Sequence, residues 1–405
     1  MTVAVRRPDR ADVVPARWWS ANGTPPPRDI VLVGDELSAD AAFRLAEANT
    51  ALLWRGDFHN ARQLLNALGR RVDRSRPPAP AATPAEAFAR YRTRQARRAR
   101  VLGRLLVPVE PGNVVPLRRA PDVRAALSEA YGPATERTVL TLRELLGVVS
   151  AHEWRRTGVE IASLGARIHP HFGVFSPLRS EYVDLVANEP LPARDLAFDI
   201  GTGSGVLAAV LLRRGVGSVV ATDREDRALA CARDNLTRLG YAERTRLVRT
   251  DLYPPGRAPL VVCNPPWLPA RPHSALERAV YDPGGRMTHG FLDRLAKHLT
   301  PDGEGWLVLS DLAERLGLRS RDELLSSIGR AGLEVRGRSD TRPRHPRAAD
   351  EGDPLHAARS AEVVSLWRLG VARKQPRSNW SGQTSSSRSG ARTAARPRSG
   401  STGSE

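Results

Sequence analysis

Apolar positions near the start of the chain come in short bursts separated by polar turns. Ile30–Gly34 (IVLVG) reads as a buried strand, Ser38–Ala48 has helical spacing, and Ala51–Trp54 is a second short apolar run. Asp57 then stands where a helix N-cap belongs, ahead of Ala61, Leu64, Leu65 and Leu68 at helical spacing. The pattern predicts strand–helix–strand–helix over 30–73, with no Gly-rich phosphate loop after the first strand. Residues 1–28 are polar and Pro-rich and are expected to be loosely ordered. Residues 74–82 (RSRPPAPAA) read as a linker. Thr83-Pro84-Ala85-Glu86 is a capping box with Pro at the first helical position, opening a helix expected to reach about Leu106. Asp122–Tyr131 and about Thr138–Ile161 are further helical stretches.

From Leu196 the rhythm becomes strand–helix alternation. Strands are predicted at Leu196–Ile200, Ser218–Asp223, Arg246–Asp251, Leu260–Asn264 and Trp306–Ser310, with a last alternating strand at Ala361–Trp367. Helices are predicted at Val206–Arg214, Asp226–Leu239, Met287–Leu299 and Asp322–Ala331. Such alternation argues for a mainly parallel sheet with helices on both faces. Residues 371–405 are rich in Ser, Gly, Arg and Thr without periodicity, the composition of a disordered basic tail. The expected organisation is therefore a loose N-terminus (1–28), a mixed α/β and helical portion with a candidate role in substrate recognition (29–165), a catalytic α/β domain (166–370) and the tail.

Charge adds a clue about partners. The chain has 62 Lys and Arg against 44 Asp and Glu, a net +18, which suits a polyanionic partner such as RNA. All but Lys297 and Lys374 of the basic residues are Arg, which also fits simple genomic composition. The helix from Thr83 carries Arg90, Arg92, Arg94, Arg97, Arg98, Arg100 and Arg104, and both a solvated face and contact with an RNA backbone fit it. No stretch has the apolar length needed to span a bilayer, and no apolar run follows the arginines of MTVAVRRPDRADVV, so a cytoplasmic protein is expected. Cys231 and Cys263 cannot build a disulfide framework. His152, His169 and His171 have no third partner at metal-ligand spacing, and no metal is expected.

The candidate chemistry lies at predicted strand ends. Asp199-Ile200-Gly201-Thr202-Gly203-Ser204-Gly205 follows a strand and opens a helix, where glycines allow a tight turn and close approach of backbone to a ligand. A dinucleotide fingerprint starting at Gly201 would need glycine where Val206 stands, so a dehydrogenase is disfavoured. Asp223, 22 residues after Gly201, ends the second strand, where a carboxylate can accept both ribose hydroxyls. Asp251, at the end of the third, is placed to accept from an adenine amine, with Leu252 packing on the ring. Asn264-Pro265-Pro266-Trp267 follows the fourth strand. An amide or base amino nitrogen is a poor nucleophile because its lone pair is delocalised. The Asn264 side-chain carbonyl and the Pro265 main-chain carbonyl can accept its hydrogens and favour a more tetrahedral nitrogen. The two prolines hold the loop extended, and Trp267 offers a flat face for stacking.

On these residues the stretch from about Arg167 to Leu369 resembles the class I methyltransferases with a small-domain architecture. These include ribosomal RNA guanine-N2, adenine-amine and release-factor glutamine enzymes. The resemblance implies S-adenosylmethionine as donor, bound by the DIGTGSG loop, Asp223 and Asp251, and a Rossmann-like seven-stranded sheet with an antiparallel last strand. Family members commonly carry Phe or Tyr where Trp267 stands. His169–Pro177 (HPHFGVFSP) looks like the segment that lies over the donor, with Phe172 and Phe175 closing that side. Residues 30–73 faintly resemble the degenerate half of the duplicated guanine-N2 enzymes. The expected function is methylation of an exocyclic base amine of RNA. Alternatives are a protein glutamine methyltransferase and a non-catalytic, RNA-binding protein of the same fold; small aromatic metabolites are a further possible substrate class.

Overall fold

The computed structural model describes residues 2–6, 13–74, 81–272, 276–344 and 349–373. Most of the expected linker and nearly all of the expected tail lie outside these residues.

The N-terminal portion runs β1 (Thr2–Arg6), β2 (Val13–Trp18), β3 (Ile30–Val33), α1 (Ala39–Glu47), β4 (Ala51–Trp54), α2 (Phe58–Arg74), α3 (Pro84–Leu102), β5 (Leu105–Val109), α4 (Arg124–Tyr131), β6 (Thr138–Thr141) and α5 (Leu142–Thr157). Its strands form a six-stranded sheet in the order β1-β2-β6-β5-β4-β3. The strand–helix–strand–helix pattern expected over 30–73 is present, and Asp57 caps α2 by accepting from His59 N at 2.8 Å. Arg119 and then Arg118 also bond to this fully buried carboxylate, holding its carboxyl well below the usual range.

Three expectations need correction here. The N-terminus is not loose throughout, because Thr2–Arg6 and Val13–Trp18 are strands. Trp18 and Trp19 explain the second: they enter different buried clusters, and Trp19 stacks on Tyr131 at 4.7 Å. The stretch Thr138–Ile161 is not one helix, because its β-branched opening (TVLT) is a strand and Thr141 caps the helix after it. The Arg-rich helix stops at Leu102 with Gly103 as its cap, and Leu105–Val109 is a strand.

The arginines of α3 are mostly engaged within the chain. Arg90 pairs with Glu86, Arg94 and Arg98 with Asp73, and Arg97 and Arg100 with Glu47. Arg92 bonds to Glu277 at 3.1 Å and lies 3.9 Å over the Tyr281 ring. These side chains are paired within the chain while most stay partly exposed to solvent. The helix fastens α1, α2, Arg271, Glu277 and Tyr281 together.

The remaining elements are β7 (Val159–Ile161), β8 (Ala166–Ile168), α6 (Glu181–Asn188), β9 (Leu196–Ile200), α7 (Val206–Arg213), β10 (Ser218–Asp223), α8 (Asp226–Arg238), β11 (Thr245–Arg249), β12 (Ala258–Cys263), α9 (Arg286–His298), β13 (Leu299–Ser310), α10 (Leu312–Arg315), α11 (Arg321–Arg330), β14 (Leu333–Thr341), α12 (His356–Ser360) and β15 (Val364–Val371). A seven-stranded sheet has the order β11-β10-β9-β12-β13-β15-β14, parallel except for β15, which runs antiparallel to both neighbours. This is the expected Rossmann-like methyltransferase sheet. Alternate residues of β9, β12 and β13 feed two cores. One packs against α6, α7 and α8, the other against α9 and α11, so helices cover both faces.

The seventh strand, β14, was not legible as a strand in the sequence. Its residues (LEVRGRSDT) are exposed or half-buried except Leu333, and four of the nine are charged, as suits a sheet edge that must not pair with another chain. The third strand ends at Arg249, so Asp251 lies beyond it rather than on it.

Trp306 is fully buried on β13, and its indole donates to Glu304 at 3.0 Å. Trp306→Ala is expected to destabilise the fold by about 3–5 kcal/mol. Urea unfolding checks this, and an unchanged midpoint would contradict the packing described.

Candidate active site

The site begins with a buried carboxylate. Asp199 lies on β9 and is 1% exposed, and among the described residues no cation pairs with it. Thr202 Oγ1 donates to its Oδ2 at 2.6 Å, and Ala208 N in the first turn of α7 donates to the same oxygen at 3.2 Å. Burial pushes its carboxyl up to about 6. These bonds fold the glycine turn back between β9 and α7. Thr202 N also donates to Thr222 O at 2.8 Å, tying the turn to β10. Gly205 has φ +81°, and a Cβ there would come within 3.1–3.2 Å of Ala232 on α8, so glycine is required. Gly203 has φ +55° with open space where a Cβ would point.

Asp223, half-buried at the end of β10, accepts from Gly203 N at 3.1 Å and Glu225 N at 3.0 Å. Burial raises its carboxyl above the usual value. Arg224 N adds a third backbone donor, and the carboxylate still keeps acceptor capacity for a ligand. Asp251 is exposed, and its main-chain carbonyl accepts from Arg294 at 2.9 Å. Leu252 adopts φ +76°, and its carbonyl accepts from Thr222 Oγ1 at 2.6 Å.

Asn264 follows β12 directly. Its Oδ1 accepts from the Trp267 indole Nε1 at 2.9 Å. Trp267 is half-buried and packs against both cores of the seven-stranded sheet. The Arg179 guanidinium carbon lies 5.1 Å from the centre of its ring. The sequence therefore foresaw the position of Trp267 but not this bond, and the indole is less free to stack than a simple platform would be. The loop beyond closes on itself, with Leu268 N bonding to Val280 O at 3.1 Å and Asp282 N to Leu268 O at 2.9 Å. Asp282 is buried, which raises its carboxyl, and it accepts from Met287 N at 2.6 Å at the start of α9.

One cleft of about 1300 Å³ collects these parts. Gly201, Thr202, Gly203, Asp223, Asp251, Leu252 and Phe175 line it together with Asn264, Pro265, Pro266 and Trp267. Asp199 and Gly205 do not line it and act beneath the turn. Phe172 departs from expectation: it packs against the N-terminal core, 6.2 Å from Tyr131, and its carbonyl accepts from Arg227 at 3.3 Å. His169 and His171 bond to the Arg155 carbonyl and to Asp234.

Several lining residues were not foreseen. Tyr91 and Gln95 of α3 reach the cleft, as do Arg179, Tyr281, Asp282 and Met287. A Cβ on Gly201 would meet the Met287 side chain at 2.4 Å. These are long-range meetings of chain segments, and no local pattern announces them. Arg179 had one weak signal, a lone cation between Pro177 and the apolar face of α6.

Residues 165–319 match the model of the methyltransferase small domain family. The chain is similar to the tRNA1(Val) (adenine(37)-N6)-methyltransferase of Shewanella sp. (strain MR-4), 30% identical over 148 residues, 33% of this chain and 60% of the relative. It is also similar to the release factor glutamine methyltransferase of Cereibacter sphaeroides, 34% identical over 138 residues, 33% of this chain and 46% of that one. Among solved structures, a ribosomal protein L11 methylase from Lactobacillus delbrueckii subsp. bulgaricus superposes with a TM-score of 0.35 at 17% identity, covering 49% of this chain and 82% of that chain.

Asp199 generates a pH dependence. Its folded carboxyl titrates near 6, against an ordinary value of 3.8, so between these values the folded chain holds a proton that the unfolded chain releases. Its contribution to stability therefore falls as pH rises through that window. Asp199→Asn removes the titration while retaining an acceptor. The stability of the parent relative to this variant should rise as pH falls from above 6 towards 4, measured by thermal unfolding. A difference that stays constant with pH would contradict the buried, unpaired carboxylate.

Proposed function

We propose that this chain is an S-adenosylmethionine-dependent N-methyltransferase whose substrate is an exocyclic amine of an RNA base. The observation that carries the reading is the shared cleft: Asn264 opens into the same space as the glycine turn and Asp223. The family match over residues 165–319 supports the reaction class.

The residues present fit the donor. Gly203 leaves open space at the turn, and Asp223 keeps acceptor capacity facing the cleft, suited to a pair of ribose hydroxyls. Leu252 and Phe175 supply apolar contacts suited to a purine, with the Asp251 carboxylate suited to its amine. When bound, S-adenosylmethionine supplies an electrophilic methyl carbon on a sulfonium. The chain's task is to present a nitrogen lone pair to it. Asn264 Oδ1, with one lone pair taken by Trp267, accepts one amine hydrogen with the other, and the Pro265 carbonyl accepts the second. As positive charge grows on nitrogen these bonds strengthen, which stabilises the transition state over the ground state.

RNA is favoured by one of the relatives, named for a transfer RNA adenine, and by the net charge of +18. Arg224, Arg227, Arg278, Arg286 and Arg294 line the cleft together with Arg92 of α3 and give it positive side chains. A protein glutamine substrate is the second reading, favoured by the similarity to a release factor enzyme. A non-catalytic role is disfavoured because the turn, Asp223 and Asn264 stand together in one cleft.

The test is transfer of tritiated methyl groups to RNA and protein fractions from cells lacking the gene. Label in RNA, recovered as an N-methylated nucleoside, supports the first reading, and label only in protein supports the second. Label in neither overturns both. Asn264→Ala is expected to lower turnover by roughly two orders of magnitude, the size of losing one such acceptor, with donor affinity nearly unchanged. Parent-like turnover in this variant would remove Asn264 from the chemistry.

A further inference from the structure

Whether Asn264 can do this work depends on how its carboxamide is turned. The group is nearly symmetric in shape but not in chemistry, since one end accepts and the other donates. A carboxamide flipped by 180° would offer its N–H groups to an amine and repel it.

The indole N–H of Trp267 can only donate. Standing 2.9 Å from Asn264 Oδ1, it is compatible with one orientation of the carboxamide and opposes the flipped one. Trp267 is itself held. Its ring packs against both cores of the seven-stranded sheet, and the Arg179 guanidinium lies over it. Arg179 is fixed in turn by two carboxylates, each 3% exposed, donating to Glu181 at 2.6 Å and to Glu362 at 3.2 Å. Ser310 Oγ, at the end of β13, donates to the same Glu362 oxygen at 2.6 Å.

We infer that Arg179 and Trp267 are positioning residues that lock the Asn264 carboxamide with its oxygen in place, and that Trp267 acts through its indole N–H rather than chiefly as a stacking face. The inference rests on the reading of Asn264 given above. It distinguishes tryptophan from phenylalanine at this place, because a phenylalanine ring has the same flatness and no donor. The guanidinium also covers part of the indole, which reduces the area open to a stacked substrate.

Trp267→Phe separates the two roles, since it keeps a flat ring and removes the donor. It leaves Arg179 with both carboxylates, so the buried ion pairs survive. In the tritium assay, on the fraction that accepts methyl groups, kcat should fall between about tenfold and a hundredfold, the scale of a misplaced catalytic group, with KM little changed. A raised KM at parent-like kcat would overturn the inference and return Trp267 to a stacking role. A second measurement does not depend on turnover. In the ¹⁵N-labelled full chain, the Trp267 indole resonance is the one lost in Trp267→Phe. It should move upfield in Asn264→Ala, where the acceptor is gone, and downfield in Asn264→Asp, where the acceptor gains charge. A resonance indifferent to both changes would show that the bond is absent. If neither RNA nor protein accepts methyl groups, the functional reading fails, and the indole resonance still decides whether the lock exists.

Discussion

A carboxylate buried at the end of a parallel strand normally finds a cation or loses its charge, and among the described residues none pairs with Asp199. It is satisfied instead by a hydroxyl and a backbone N–H, from Thr202 and Ala208. That choice bends the chain sharply after β9 and starts α7 directly above the sheet. The turn places Gly203 N against Asp223 and leaves space beside Gly203. Because β9 lies next to both β10 and β12, everything at their carboxyl ends is brought to one rim. Asp223 and Asn264 share a cleft for this reason, although 41 positions separate them in the chain.

The N-terminal portion takes part in the cleft. Phe88 of α3 shares a small buried cluster with Leu268 and Tyr281 of the loop after Trp267. Arg92 adds an ion pair to Glu277 and covers Tyr281. On the other side Phe172, three residues before Phe175, is anchored in the N-terminal core. The cleft is thus braced on both sides by the first sheet and its helices. This gives the arginines of α3 a structural use and moves the polyanion argument to the arginines that line the cleft.

Much of this was legible in the sequence where local physics decides. Parallel strands buried on both faces, such as β9 and β12, read as apolar runs, and the glycines between β9 and α7 announce a turn that side chains would block. The Asn-Pro-Pro-Trp stretch was visible because its chemistry is compact. What was not legible is set by distance or by weak pattern. An edge strand as charged as β14 has no hydrophobic signature. The strands β1 and β2 lie in a Pro-rich stretch and gain their order from partners, β2 from a β6 more than a hundred residues away. The reversal of Phe172, the approach of Met287 to Gly201 and the Arg179–Trp267 contact all join segments that the sequence keeps apart.

The account stands on the claim that the cleft above the glycine turn holds a methyl donor rather than a dinucleotide. Isothermal titration of the full chain with S-adenosylhomocysteine, the demethylated donor, and separately with NAD addresses it directly. The account predicts saturable one-to-one binding of S-adenosylhomocysteine and no heat from NAD. Binding of NAD without binding of S-adenosylhomocysteine would contradict it.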